Sequence, residues 1–155
     1  MKRFVLAFLT LLACNHEPAR PAAEVVFVCE HGAAKSVVAS EYFNKLAAER
    51  GLAVRAIARG ADPQAELSVS AVHGLEGDGL PPRLGAPRPL TAAELRSSGR
   101  VVAFDCEQPA MKALKGMDAC WDDVPAVSSD YAHARDAIRA HVAEMVEQMI
   151  AQSRS

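Results

Sequence analysis

The sequence predicts an α/β domain in which a parallel sheet is covered by helices on both faces. Two observations carry the prediction: short, continuous β-branched runs, and segments of helical period lying between them. The first run, "EVVFVC" (Glu24 to Cys29), has the composition of a strand buried on both sides. It leads to "SVVASEYFNKLAAERGL", where Val38, Phe43, Leu46 and Ala47 share one side of a helix that closes at Gly51. "AVRAIARG" reads as a second strand, and "LSVSAVHGLEGDG" as a short helix followed by turns. "LTAAELRSSG" opens with Thr91 and Glu94 at capping-box spacing. "RVVAFD" is a third strand, and "QPAMKALKG" a short helix with Pro109 near its start. From Asp130 to about Gln152, the residues Ile138, Val142, Met145, Val146, Met149 and Ile150 fall three and four apart and mark the core stripe of a long helix.

With 155 residues, 50% of them hydrophobic and 23% charged, the chain can bury one ordinary core, so a single domain is expected over residues 24–152. A net charge of -2 and a pI near 6.2 provide no electrostatic footprint for DNA or RNA, and no nucleic-acid partner is expected.

The start of the chain differs from the rest. Lys2 and Arg3 precede an apolar run from Phe4 to Ala13, which gives way abruptly to "NHEPARPAAE". This is the order of a signal peptide, assigned to residues 1–13, and the run is short for a transmembrane helix. Its end, Leu11-Leu12-Ala13-Cys14, resembles the lipobox of bacterial lipoproteins, which implies lipidation at Cys14, a linker over residues 14–23, and membrane anchoring in the cell envelope. A secretion signal with an incidental cysteine, or a misplaced start and a cytoplasmic protein, are the alternatives.

Beyond Cys14 the thiols are Cys29, Cys106 and Cys120, an odd number that leaves at least one unpaired within the chain. No Cys-x2-Cys or His-x3-5-His pair accompanies them, so no metal site is expected; no cofactor is expected either.

"VVFVCEHGAAKS", Val25 to Ser36, joins a strand to a helix N-terminus through small residues. Such a loop is an anion site, because its N–H groups turn inward and the helix dipole favours negative charge. Glu30, His31, Gly32, Ala33, Ala34, Lys35 and Ser36 are its candidate phosphate-binding residues. The field that attracts a phosphate also favours a thiolate at Cys29, which makes that sulfur the candidate nucleophile. Gly32 allows a positive φ in the cradle, and Ser36 can donate a hydrogen bond to the sulfur.

This stretch resembles the phosphate-binding loop of low-molecular-weight protein tyrosine phosphatases and the related thioredoxin-coupled arsenate reductases, whose signature is Cys-x5-Arg-Ser/Thr after a first strand. The resemblance runs more faintly through "ARGADP", "PRPLTAAEL", "RVVAFDCEQP" and "WDDVPAVSSDYAHARDAIRAHV". It implies a three-layer sandwich around a mostly four-stranded parallel sheet, and cleavage of phosphotyrosine or another aryl phosphate monoester through a phosphocysteine.

Two departures stand out. Lys35 occupies the arginine position, which keeps the attraction for an anion and loses the planar fork. The family's Asp-Pro general acid has no clear counterpart in "WDDVPAV", so Asp123 is the candidate acid with Asp122 beside it. Asp105, after the third strand, is expected to hold a loop, and His73, His133 and His141 to lie on helix surfaces. The resemblance also offers an alternative activity, arsenate reduction, with oxidation passing from Cys29 to Cys106 and Cys120 and thioredoxin as partner. Cys106 and Cys120 equally suit a structural disulfide. A third reading is a lipoprotein that binds phosphate or arsenate without chemistry.

Overall fold

The computed structural model describes residues 23–154; the expected signal peptide and Cys14 lie outside them. The element order is β1 (Ala23–Cys29), α1 (Lys35–Glu49), β2 (Val54–Gly60), α2 (Val69–Gly77), α3 (Ala92–Ser97), β3 (Arg100–Phe104), α4 (Pro109–Lys112), β4 (Ala119–Trp121) and α5 (Tyr131–Ser153). All four strands are parallel, in the order β2-β1-β3-β4. β1 is therefore central, which is why its run is apolar throughout: Val25 to Val28 are each fully buried.

Alternation along β1 sorts its side chains into two layers. Val25, Phe27 and Cys29 face the core shared with α1, α2 and α5, while Val26 and Val28 face the smaller core closed by Leu95 and Met111 of α3 and α4. Phe27 organises the larger layer, with ring centroids 6.0 Å from Phe43, 6.4 Å from Phe104 and 5.4 Å from Trp121. Each such aromatic pair adds about 0.5–1.5 kcal/mol beyond the area it buries.

The long final helix lies where its stripe requires. Ile138, Val142, Met145 and Val146 are buried, Met149 and Ile150 are partly buried, and Asp130 caps the N-terminus by accepting from His133 N–H at 3.0 Å. The capping box at Thr91 and Glu94 is present in both directions. The outer edge of β2 is blocked by a side chain that mimics a strand: Asn44 donates to Ala56 C=O at 3.0 Å and accepts from Ala56 N–H at 2.8 Å.

The fourth strand has only three residues, "ACW", too few to show a period, and it is fixed by pairing with Val102 to Phe104 of β3. Among the described residues no helix is long and apolar enough to cross a membrane.

Candidate active site

The loop after β1 is held by its carbonyls. Those of Cys29, Glu30, His31 and Ala33 accept hydrogen bonds from the N–H groups of Ala61, Asp62, Gln64 and Ser68, at 3.0, 2.7, 3.3 and 2.9 Å. The Ala34 carbonyl accepts from Val38 N–H at 3.0 Å as α1 begins. In a planar trans peptide a carbonyl and the following N–H point in opposite directions. Carbonyls drawn into the surrounding collar therefore turn the N–H groups of Glu30, His31, Gly32, Ala34 and Lys35 to the other side. Among the described residues none of these five amides has a protein acceptor.

Two glycines let the loop close. Gly32 has φ +63°, and a Cβ there would stand 2.7 Å from Gly60 N; a Cβ on Gly60 would stand 2.9 Å from Gly32 N. The end of β2, paired at Gly60 with Cys29, is thus in backbone contact with the loop, and neither position has room for a side chain.

Cys29 is 7% exposed, and its Sγ lies 3.2 Å from Ser36 Oγ at the first turn of α1. Around it is an open cleft of about 290 Å³, lined by the loop and by Gln64, Ser68, Asp105, Ala126, Val127 and Ser128. This cleft brings together Cys29, Glu30, His31, Ala33, Ala34 and Lys35, with Ser36 beneath and Gly32 behind against Gly60. His31 Nδ1 lies 3.2 Å from the Asp62 carbonyl, and Glu30 lies beside its ring.

Lys35 is engaged elsewhere than on the amides. Its Nζ donates to both carboxylate oxygens of Asp105 at 2.8 Å and to the Val124 carbonyl at 2.6 Å. Asp105 meets it from the end of β3 with φ +52°, the one positive φ among the described non-glycine residues. An aspartate tolerates that conformation at modest cost, and here the cost turns its carboxylate toward the ammonium. Lys35 thereby ties the helix that carries it to the ends of β3 and β4.

Asp123 is not brought to the cleft. Both of its oxygens lie within hydrogen-bond distance of His141 Nε2, at 2.8 and 2.9 Å, and the His141 ring stacks on Trp121 with centroids 4.7 Å apart. His141 is therefore an interlayer contact and not a plain surface residue. The neighbouring Asp122 accepts from Cys106 N–H at 2.8 Å. Cleft-lining carboxylates are Glu30 and Asp105. Asp105 holds a loop as the sequence suggests, and its partner is Lys35; its place directly after a buried parallel strand is the sequence signal for a site residue.

Cys106 and Cys120 form a disulfide with Cα atoms 6.3 Å apart. Together with Asp122 they are the one described trio of potential metal ligands within reach of one another, but sulfurs bonded to each other are not thiolate ligands. Cys106 packs on the α3/α4 side of the sheet, whereas Cys29 belongs to the opposite layer.

A buttressing cluster lies where α1, the end of α2 and α5 meet. Tyr42 and Tyr131 hydroxyls donate to the same Asp78 oxygen at 2.7 and 2.6 Å, and Arg135 approaches the other at 3.3 Å. Burial and the hydrogen bond to Asp78 push the Tyr42 phenol up to about 12, and the same causes raise Tyr131 further. Burial acts to raise the Asp78 carboxyl, yet the hydrogen bonds from Tyr131 and Tyr42 and the Arg135 charge hold it below the usual range.

A central four-stranded parallel sheet between helical layers, with a cysteine loop at the end of β1, defines the low-molecular-weight phosphatase fold. Solved structures agree. The chain is similar to a low-molecular-weight phosphotyrosine phosphatase from Vibrio cholerae, with TM-score 0.70, 15% identity, and coverage of 84% of this chain and 98% of that one. It is also similar to the thioredoxin-dependent arsenate reductase of Corynebacterium glutamicum, with TM-score 0.68, 22% identity and 86% of this chain covered. This chain spans 65% of that reductase's length. The YwlE arginine phosphatase of Bacillus subtilis matches with TM-score 0.67 and 18% identity over 81% of this chain and 95% of its own. No protein-family model matches the sequence, and no curated protein matches it.

Proposed function

We propose that this protein is a cysteine-dependent phosphoric monoester hydrolase acting on aryl phosphates such as phosphotyrosine, anchored to a membrane through lipid on Cys14. The observation that carries the reading is a loop of five amides without a protein acceptor, running from a nearly buried Cys29 sulfur to a helix N-terminus, which is the kind of backbone that receives a tetrahedral oxyanion. In the first step the Cys29 thiolate attacks phosphorus, a S–P bond forms, and the P–O bond to the leaving aryl oxide breaks. In the second, water attacks the phosphocysteine and the sulfur leaves as thiolate, stabilised by a hydrogen bond from Ser36. The loop amides hold the equatorial oxygens in both steps.

Lys35, its charge balanced by Asp105, holds the cleft's shape. Its bonds to Asp105 and Val124 leave little of its donor capacity for a phosphoryl oxygen. Asp105 is committed to that ammonium and Asp123 lies at His141. An aryl oxide departs with little need of a proton donor, so this arrangement favours aryl over alkyl esters. Hydrolysis of p-nitrophenyl phosphate by the full chain should be lost in Cys29→Ser; equal rates reject the nucleophile assignment.

The disulfide gives arsenate reduction its support as a second reading. There, Cys29 would bond to arsenic, Cys106 would attack the Cys29 sulfur and release arsenite, and Cys120 would then displace Cys29 to leave a Cys106–Cys120 disulfide for thioredoxin to reduce. That pair is bonded here. Against this stands the layering: Cys106 packs on the face of the sheet opposite Cys29, so the segment after β3 would have to relocate.

A further inference from the structure

Behind the loop is a second cleft, of about 240 Å³, between the outer edge of β2 and the segment 83–88 that runs alongside it. Its lining contains four arginines, Arg55, Arg59, Arg83 and Arg88, and no carboxylate. Arg59 is neutralised by Glu94 at 2.6 Å. The guanidinium groups of Arg55, Arg83 and Arg88 have no carboxylate partner among the described residues. In a chain of net charge -2, this concentration of unpaired positive charge does not follow from composition. All three are exposed, so water and salt screen their mutual repulsion, and an entering anion would relieve what remains.

The wall carrying two of these arginines is fixed in advance. Gly60 N–H donates to the Arg88 carbonyl and Leu90 N–H to the Gly60 carbonyl, each at 2.9 Å. At the other end, the carboxylate of Glu41, a residue only 5% exposed, accepts from the Arg83 amide at 2.9 Å. Pro81, Pro82, Pro87 and Pro89 restrict φ through the same segment. Burying a carboxylate to hold one backbone amide is a costly way to shape a loop, and it fixes the backbone from which the exposed Arg83 and Arg88 side chains extend.

We propose that this cleft is a second anion site, for a compact polyanion of the phosphate class such as a diphosphate. More than one negative charge is needed to balance three unpaired guanidinium groups, whose forks suit tetrahedral oxyanions, and the volume admits a small molecule only. The inference does not depend on the hydrolase reading, because the charged groups it uses are all outside the Cys29 loop, which meets this cleft only at Gly32.

Calorimetric titration of the full chain with pyrophosphate tests it. The expected result is a site whose affinity falls at least tenfold in the Arg83→Ala/Arg88→Ala double variant and is unchanged in Cys29→Ser and Lys45→Ala. Arg88→Lys should lose part of the affinity, and succinate should bind at least tenfold more weakly than pyrophosphate. Absence of pyrophosphate binding, affinity that follows Cys29 instead of the arginines, an equal loss in Lys45→Ala, or equal binding of succinate would each overturn the proposal. Hydrolysis of aryl phosphate, measured separately, reports on the other site.

Discussion

The Lys35–Asp105 pair is unequally exposed, and this makes its two deletions unequal. The lysine side chain is 11% exposed and the aspartate 37%. Replacing Asp105 by Asn keeps the shape, and asparagine tolerates the positive φ, so the change isolates the loss of charge. It leaves a nearly buried ammonium with neutral partners, which costs about 2–4 kcal/mol by analogy with broken buried pairs. Lys35→Met strands a carboxylate that water can reach and keeps most of the apolar stem, which costs about 1–2 kcal/mol. The double variant should cost less than the sum by about 1–3 kcal/mol. Urea unfolding of all four proteins measures this cycle: with an m-value of about 1–2 kcal/mol/M, 2 kcal/mol moves the midpoint by roughly 1–2 M. Equal single costs that add without coupling would refute the claim that Lys35 is spent on Asp105.

Three other outcomes follow from the same geometry. Asp123→Asn should leave turnover within about twofold, because its carboxylate faces His141; a fall of roughly 10²–10⁴ in kcat for aryl phosphate would make it the proton donor. The Asp78 carboxyl, lowered in the fold, contributes stability that is present above its ordinary value and lost as pH falls through its folded one. Tyr42, raised to about 12, contributes stability that is full below its ordinary value and lost as pH rises through that figure. Tm against pH should show both limbs in the native chain and shallower ones in Asp78→Asn. Finally, Cys106→Ser should cost about 3 kcal/mol for a loop of this length and leave aryl phosphate turnover intact, whereas thioredoxin-dependent arsenate turnover that vanishes in this variant would support the relay.

The sequence was most legible where local chemistry decides the structure. A β-branched run followed by a glycine-containing small-residue loop specifies a buried strand and a cradle with few alternatives, and Gly32 has the positive φ that such a loop needs. The capping box and the stripe of α5 are equally local. What stayed hidden depends on pairs distant in the chain. Lys35 and Asp105 are 70 residues apart, and nothing in "FDCE" announces that the aspartate turns back toward α1. Asp123 and His141 are 18 residues apart, and no local signal in "WDDVPAV" pairs them. The strand at Ala119–Trp121 exists because β3 offers it an edge, and the arginine cleft because β2 and the segment beside it meet.

The central claim is that Cys29 becomes covalently phosphorylated during turnover. Rapid acid quench of the full chain with aryl phosphate, followed by intact mass and peptide mapping, tests it most directly. A mass increment of one phosphoryl group, located on the peptide containing Cys29 and absent in Cys29→Ser, is the predicted result. Release of aryl alcohol with no adduct on that peptide, or phosphate bound there with no turnover at all, would contradict it.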